Sequence, residues 1–305
     1  MRPTLKQLQY LVALADTGKF GDAAKLSNVS QPSLSTQLAD MEVELGITLV
    51  ERGRHGAIIT PGAENIVRKA RLILSAVEEL KSAARKGNGI LSGRMRLGVI
   101  PSIGPYLLPS ATKRLHELFP EFRISIHEER AVELEAQLRE GRLDIIISTA
   151  EDHANVSNFP LITEELWVCV APDHDLASGK GPVSLGDLEG VSLLSLGKGH
   201  NLNFGIRELA RQSGAFVSHE YEGTSLDAIR QMAAMGAGVA VLPSLYALVE
   251  ARRDEALVVR KINHASARRE ISLIWRDTSP MREEMEQLAG ILREVAEDLV
   301  LRANL

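Results

Sequence analysis

From Gln31 to Leu45 the apolar residues Leu34, Leu38, Met41 and Leu45 recur at spacings of four, three and four, which places them on one face of a helix. Gln31, Ser33, Ser35, Thr36, Gln37 and Asp40 fall off that stripe. A shorter helix is predicted just before it, over Lys19 to Leu26, with Phe20, Ala23, Ala24 and Ser27 facing inward. Between the two, Ser27-Asn28-Val29-Ser30 has turn chemistry and one apolar plug. Ser30 can cap the new helix, and Pro32 fits its first turn. A supporting helix is expected over Thr4 to Ala15, capped by Thr4, with Leu5, Leu8, Leu11, Val12 and Ala15 on its core face. Gln9 and Tyr10 lie off that face, at the surface or against another subunit.

The period then changes. Leu49 to Gly62 reads as a two-stranded wing whose turn is allowed by Gly53 and Gly56. Ala63 to Lys86 returns to a helical pattern in which Ile66, Ala70, Ile73, Val77, Leu80 and Ala84 are spaced four, three, four, three, four. Such a seam suits a coiled-coil pairing of two copies or packing on the chain's own domain. Gly87-Asn88-Gly89 and Ser92-Gly93 mark a hinge.

Beyond the hinge, strands and helices alternate. Strands are predicted over 94–100, 123–128 and 143–148, separated by helices over 106–119 and 132–140, a βαβαβ series. Leu166 to Ala171 starts a second set: a short helix over 184–188, strands over 192–195, 217–221 and 238–242, and helices over 201–213 and 225–235. A strand over 269–275 and a closing helix over 280–301 bring the chain back to the first set. The inner face of that closing helix holds Met281, Met285, Leu288, Ile291, Leu292, Val295 and Leu299. The domains expected are residues 1–62, a helical and hinge segment 63–90, and an α/β domain 91–305. Its lobes are 91–165 with 268–305, and 166–267. Two α/β lobes joined by crossing strands make a cleft, where a small molecule binds.

Composition narrows the class without changing the architecture. Hydrophobic residues make up 45% and charged residues 25% of the chain, which is globular, and no apolar run is long enough for a membrane span. An amphipathic helix rather than a signal sequence follows the start, so the expected location is cytoplasmic, with no membrane partner. One cysteine, Cys169, lies in the apolar run Leu166 to Ala171. It excludes an intramolecular disulfide and a cysteine zinc site, and its setting suits a packed, inert thiol. Histidines are scattered and no serine has a Gly-x-Ser-x-Gly setting, so neither a metal centre, a cofactor nor an enzyme is expected.

Charge is distributed unevenly. The chain carries a net −5, but residues 1–93 hold 12 Lys and Arg against 9 Asp and Glu, a net +3. The exposed face of the 31–45 helix offers amides and hydroxyls, which can donate to and accept from base edges in a major groove. Candidate contacts with duplex DNA are Ser30, Gln31, Pro32, Ser33 and Thr36, with Arg52 and Arg54 of the wing on the backbone. Lys6, Lys19 and Lys25 can add phosphate contacts. In the α/β part, Ser102 and Ile103 follow the first strand and Thr149 the third, while His200, Asn201, Thr224 and Ser225 stand at helix starts. These are candidate effector contacts, since helix N-termini suit anions and polar oxygens. Ser225 and Asn201 are equally good plain caps.

The run of helix, helix, Gln31-Pro-Ser-Leu-Ser35, Leu45-Gly-Ile-Thr-Leu-Val-Glu-Arg52 and wing resembles the N-terminal domain of LysR-type transcriptional regulators. The wing departs from that pattern at Pro61-Gly62-Ala63 and at His55-Gly56. The resemblance implies a winged helix-turn-helix and a linker helix that pairs subunits through Ile66, Ala70, Ile73, Val77 and Leu80. It also implies a periplasmic-binding-protein-like effector domain with a small-molecule effector, assembly as a dimer or tetramer, and RNA polymerase as a partner. Val99 to Pro109, Gly199-His200, Thr224 to Arg230 and Gly236 to Pro243 are further similar to the peroxide-sensing OxyR branch. That branch uses two cysteines, whose positions here are Asn201 and Ala210, and a peroxide-binding threonine, whose place is held by Ala131. Asparagine and alanine form neither sulfenic acid nor disulfide.

Other readings differ in what the α/β part does. A ligand-blind assembly domain and a one-cysteine oxidative-stress sensor using Cys169 keep the DNA-binding assignment. A solute-binding protein accounts for residues 94–305 but leaves 1–86 unexplained.

Overall fold

The computed structural model describes residues 3–53, 56–84, 91, 93–197, 202–223, 225–279 and 281–304. The chain divides into two compact units, Met1–Asn88 with Arg139–Arg142, and Gly89–Leu138 with Leu143–Leu305.

The first unit opens with α1 (Leu5–Thr17), capped by Thr4 in a reciprocal box with Gln7 and ended by left-handed Gly18. The helix runs two residues past the expected end at Ala15. Helices α2 (Phe20–Leu26) and α3 (Gln31–Leu45) follow, then the antiparallel pair β1 (Val50–Gly53) and β2 (Gly56–Ile59), and α4 (Glu64–Ala84). Leu8, Leu11, Leu14, Ala23, Ala24, Leu34, Leu38, Met41, Leu49, Val67 and Ala70 share one core. Two assignments on α1 are corrected. Tyr10 is buried, at 7% exposure, because α1 is packed by α2, α3 and α4 and so has more than one covered face. Leu5, at the first turn, is exposed instead.

The second unit is mixed α/β. Strand β3 (Gly93–Val99), α5 (Gly104–Leu118), β4 (Phe122–Glu128), α6 (Ala131–Arg139) and β5 (Ile145–Thr149) form the βαβαβ series, with β3 parallel to both β4 and β5. Gly98 of β3 is required by packing: a Cβ there would lie 2.5 Å from Leu134 Cδ2 and 2.6 Å from Leu143 Cδ1.

Strand β6 extends from Val156 to Val170, far longer than the 166–171 predicted. Pro160 hides its first half, since proline argues against an interior strand. Here Pro160 pairs with Ser272 at an irregular step in the ladder, where such a residue is tolerated. Next come β7 (Ser192–Leu196), α7 (Leu202–Ser213), β8 (Phe216–Gly223), α8 (Leu226–Ala234) and β9 (Val239–Pro243). The expected helix over 184–188 is a single 3-10 turn, Gly186–Leu188. Helix α9 (Ser244–Val249) and strand β10 (Val258–Lys261), both short, are additions to the predicted elements. Strand β11 (Arg268–Arg276) and α10 (Arg282–Asn304) close the chain.

All the strands from β3 onward belong to one sheet, ordered β4-β3-β5-β11-β6-β9-β7-β8 with β10 on β6. Its two halves meet on β6, whose first part pairs with β11 and whose last part pairs with β9 and β10. Two apolar cores lie on either side of that junction. One holds Leu97, Leu107, Leu134, Ile146, Leu273 and Leu288, and the other Val168, Leu193, Leu209, Val241 and Ala247. Leu245 of α9 joins the first core, although its sequence neighbours build the second. On α10, Met285, Leu288 and Leu292 are fully covered, while Ile291, Val295 and Leu299 are partly covered, as is Met281 just before the helix.

Candidate functional site

In the first unit, the polar face of α3 is presented by a turn with its own hydrogen bonds. Asn28 adopts left-handed φ 53, and Val29 N–H donates to Ala24 O at 3.0 Å. The Ser30 hydroxyl accepts from Ser33 N–H at 3.3 Å, leaving its own O–H to donate. Leu34, Leu38 and Met41 are buried, which turns Ser30, Gln31, Pro32, Ser33 and Thr36 outward, all exposed. Gln7, buried on α1, donates through Nε2 to Gln37 O at 3.2 Å and fixes the two helices against each other.

The wing is held by two similar devices. Glu42 Oε1 accepts from Leu49 N–H at 2.7 Å and Val50 N–H at 3.1 Å, so the C-terminal part of α3 positions β1. Ala57 N–H donates to Gly18 O at 2.8 Å. Gly56, at φ 142, is fixed by this approach, since a Cβ would lie 2.4 Å from Gly18 O. Arg54 and the side chain of Arg52 lie outside the described residues.

The seam of α4 divides between two environments. Ala70, with 1% exposure, is packed into its own domain and is removed from the set available to a partner. Ile66 is partly covered by the same core, and Val77 is half-buried. Ile73 and Leu80 are 45% and 72% exposed, large apolar groups on the open side of the helix.

In the second unit a cavity of about 270 Å³ gathers the ends of several strands and the starts of several helices. Ser102 lines it after β3, Ala131 at the start of α6, Thr149 at the end of β5 and Ser225 as the N-cap of α8. Ile103 does not line it; the side chain is fully buried in the first core, because the chain turns inward there to begin α5. His200, Asn201 and Thr224 lie outside the described residues.

Several lining residues escape sequence reasoning, chief among them Arg269. From β11 it reaches Glu164 of β6 with Nε at 2.9 Å, and its Nη2 donates to Ser102 Oγ at 2.9 Å. Glu164 is completely buried, and its other oxygen accepts from Leu245 N–H at 3.2 Å. One ion pair thus ties a crossing strand, the loop after β3 and the start of α9. The only sequence trace is a pair of opposite charges in two strand-like runs, whose register cannot be read from either run.

Aromatic and acidic groups complete the cavity. Tyr106 and Tyr246 meet edge to face with centroids 6.4 Å apart, and Tyr246 O–H donates to Asp227 Oδ1 at 2.5 Å. Burial raises the Tyr106 phenol, and the carboxylates of Glu250, Asp227 and Glu164 raise it further. Burial first, then the bond to Asp227, raises Tyr246. Glu128 is likewise held above the ordinary carboxylate range by burial. Both tyrosines therefore stay protonated donors at neutral pH.

Cys169 lies outside this cavity, on β6, with no solvent exposure. Burial pushes its thiol up to about 12, against a smaller opposing effect of Arg230. Ala210 is buried in α7. Among the described residues no cluster of His, Cys, Asp and Glu could hold a metal ion, and no helix is long and apolar enough to cross a membrane.

Two family models match the chain. Residues 5–64 match "Bacterial regulatory helix-turn-helix protein, lysR family", and residues 88–297 match "LysR substrate binding domain". The Escherichia coli K12 "DNA-binding transcriptional dual regulator OxyR" is 36% identical over 290 residues, 95% of this chain and 94% of that protein. A full-length cysteine variant of OxyR from Pseudomonas aeruginosa superposes with a TM-score of 0.78 at 32% identity, over 95% of this chain and 97% of the other. A hydrogen-peroxide-bound OxyR variant from Corynebacterium glutamicum gives 0.69 at 33% identity, covering 100% and 97%.

Proposed function

Because this chain belongs to the LysR family of DNA-binding transcriptional regulators, we propose that it reads promoter DNA with α3 and is governed by a small molecule in the cavity of its second unit. The single observation that carries the first half is the division of α3. Its apolar stripe is spent on the core, and the N-terminal part of its outward face holds Ser30, Gln31, Pro32, Ser33 and Thr36 without one charged side chain. Amides and hydroxyls of that kind match base edges. Arg52 and Arg54 belong on the phosphates beside them.

Binding as a symmetric homo-oligomer, a dimer or tetramer, supplies the affinity that one helix without Lys or Arg lacks. Ile73 and Leu80 of α4, with Val77 and Ile66 beside them, are the surface we assign to that pairing. A working division is 1–62 for DNA, 63–90 for pairing and hinge, and 91–305 for the effector. Effector contacts are assigned to Ser102, Ala131, Thr149 and Ser225, and to His200, Asn201 and Thr224 on their place at predicted helix starts. The protein acts in the cytoplasm, with RNA polymerase as the partner that reads out its position, and catalyses no reaction.

Peroxide sensing through a disulfide is not part of this reading. The relatives named OxyR include a peroxide-bound one, but a chain with a single cysteine cannot close an intramolecular disulfide. A chain without the switch needs an effector that binds one arrangement of its lobes better than another.

The test is binding to the operator found by genome-wide footprinting. Ser33→Ala with Thr36→Ala is expected to weaken specific binding by about 1–3 kcal/mol for each base that is no longer read. Non-specific binding should change little. Unchanged affinity and selectivity in the double variant would show that another element reads the DNA.

A further inference from the structure

We propose that the cavity selects a small organic cation, a molecule carrying a protonated amine beside a short apolar portion. The inference rests on the reading of this cavity as the effector site and adds the chemical class. Two residues that line the cavity each carry a buried polar atom with no hydrogen-bond partner among the described residues: Ser148 Oγ, on a residue with no solvent exposure, and Asp152 Oδ2. Buried polar groups are otherwise almost always paired, so an unpaired hydroxyl and an unpaired carboxylate oxygen on residues that line the cavity suit a ligand that donates hydrogen bonds.

Charge accounting gives the sign. Among the described residues, the guanidinium groups that line the cavity are those of Arg130 and Arg269. Arg269 is consumed by Glu164 and Ser102, and Arg130 is paired with Glu133. The carboxylates of Glu128, Asp152 and Asp227 also face the cavity. Asp227 is partly satisfied by Tyr246 O–H and by Arg230 at 3.8 Å. His153, next to Asp152, is buried, and burial holds its imidazole below the usual histidine value. It is thereby kept mostly neutral at pH 7, and among the described residues Asp152 Oδ2 has no hydrogen-bond partner. Among the described side chains an anionic effector would meet committed arginines and open carboxylates, and the first turn of α8 is already taken by its Ser225 cap. An ammonium has three donors for Asp152, Ser148 and Glu128, and its carbon chain can lie against Tyr106 and Tyr246.

Size is consistent with one metabolite. A volume near 270 Å³ is just below the usual range for small-molecule pockets, ~300–1,000 Å³, and so suits a small ligand.

The experiment is calorimetry and thermal shift on the full-length protein with matched probes. Phenethylamine, butylamine and putrescine form one set, and 3-phenylpropanoate, butyrate and succinate the other. At least one amine is expected to bind and raise the melting temperature, with no acid doing so. Asp152→Asn should weaken that amine roughly tenfold, as for loss of a charge-assisted bond. Ser148→Ala should weaken it by a smaller factor, and Ser102→Trp should block it. Acids binding in a manner blocked by Ser102→Trp, with amines inert, would leave the cavity as the effector site and overturn the cation. An amine that binds equally well to Asp152→Asn and Ser102→Trp sits elsewhere, which overturns the inference. Silence from both sets would remove the inference and the reading beneath it.

Discussion

Helix α3 and the cavity of the second unit are built on opposite plans. Helix α3 takes its orientation from residues within about ten positions of it and from one supporting helix, through Ser30, Leu34, Leu38, Glu42 and Gln7. The cavity takes its shape from residues far apart, Ser102 with Arg269 and Arg269 with Glu164, and from a sheet whose halves meet on β6. A locally built element repeats its design in every window of sequence. A site assembled from distant strand ends has no such period.

The sharpest way to break this comparison is to remove the long-range pair. Arg269→Ala leaves the Glu164 carboxylate in the core with, among the described residues, only Leu245 N–H as a partner. The expected cost is about 3–5 kcal/mol, the range for an orphaned buried charge. Removing both charges, with Glu164→Leu and Arg269→Met, should restore most of it. Both tryptophans, Trp167 and Trp275, lie in the second unit, so denaturation followed by their fluorescence measures the right transition. A single variant within about 1 kcal/mol of the parent protein would mean that the pair does not hold the lobes.

The local plan predicts a smaller response. Ser30→Ala removes the acceptor for Ser33 N–H and should destabilise the first unit by roughly 0.5–2 kcal/mol. Operator affinity should fall further than that of a control variant at exposed Asp40, because the cap also sets where α3 begins. Backbone amide exchange at Ser33 against global unfolding separates the two effects. Equal operator affinity in Ser30→Ala and the control would count against the cap as a positioning device.

Legibility follows the same division. Leu34, Leu38 and Met41 are evident from period alone, and so is the wing from its two glycines. Tyr10 is misplaced because one apolar stripe describes one covered face, whereas α4, far along the chain, covers a second. Pro160 conceals half of β6 because a ladder irregularity is a property of the pair and not of the strand. Ile103 is adjacent to the cavity in sequence and absent from it in space, since consecutive residues at a strand end point in different directions. Arg269 is legible only as one charge among Arg268, Arg269 and Glu270. Which of them turns inward depends on a register set 105 residues away.

The smallest expected effect concerns Cys169, and it tests whether either plan depends on redox chemistry. Burial raises the thiol from its ordinary 9.0 to about 12, so the folded chain binds this proton more tightly than the unfolded chain does. The corresponding stability is complete below the unfolded value and is lost as pH rises from about 9 toward 12. At neutral pH the thiolate, the species that attacks peroxide, is essentially absent. A thiol reagent should therefore label the native protein slowly at pH 7 and the denatured protein quickly. Cys169→Ala should cost about 1 kcal/mol through a small cavity. It should leave operator footprint and target transcription unchanged with and without peroxide. A peroxide response in cells that vanishes in this variant would make Cys169 a sensor, and would require an opening of β6 large enough to bring its fully buried sulfur to water.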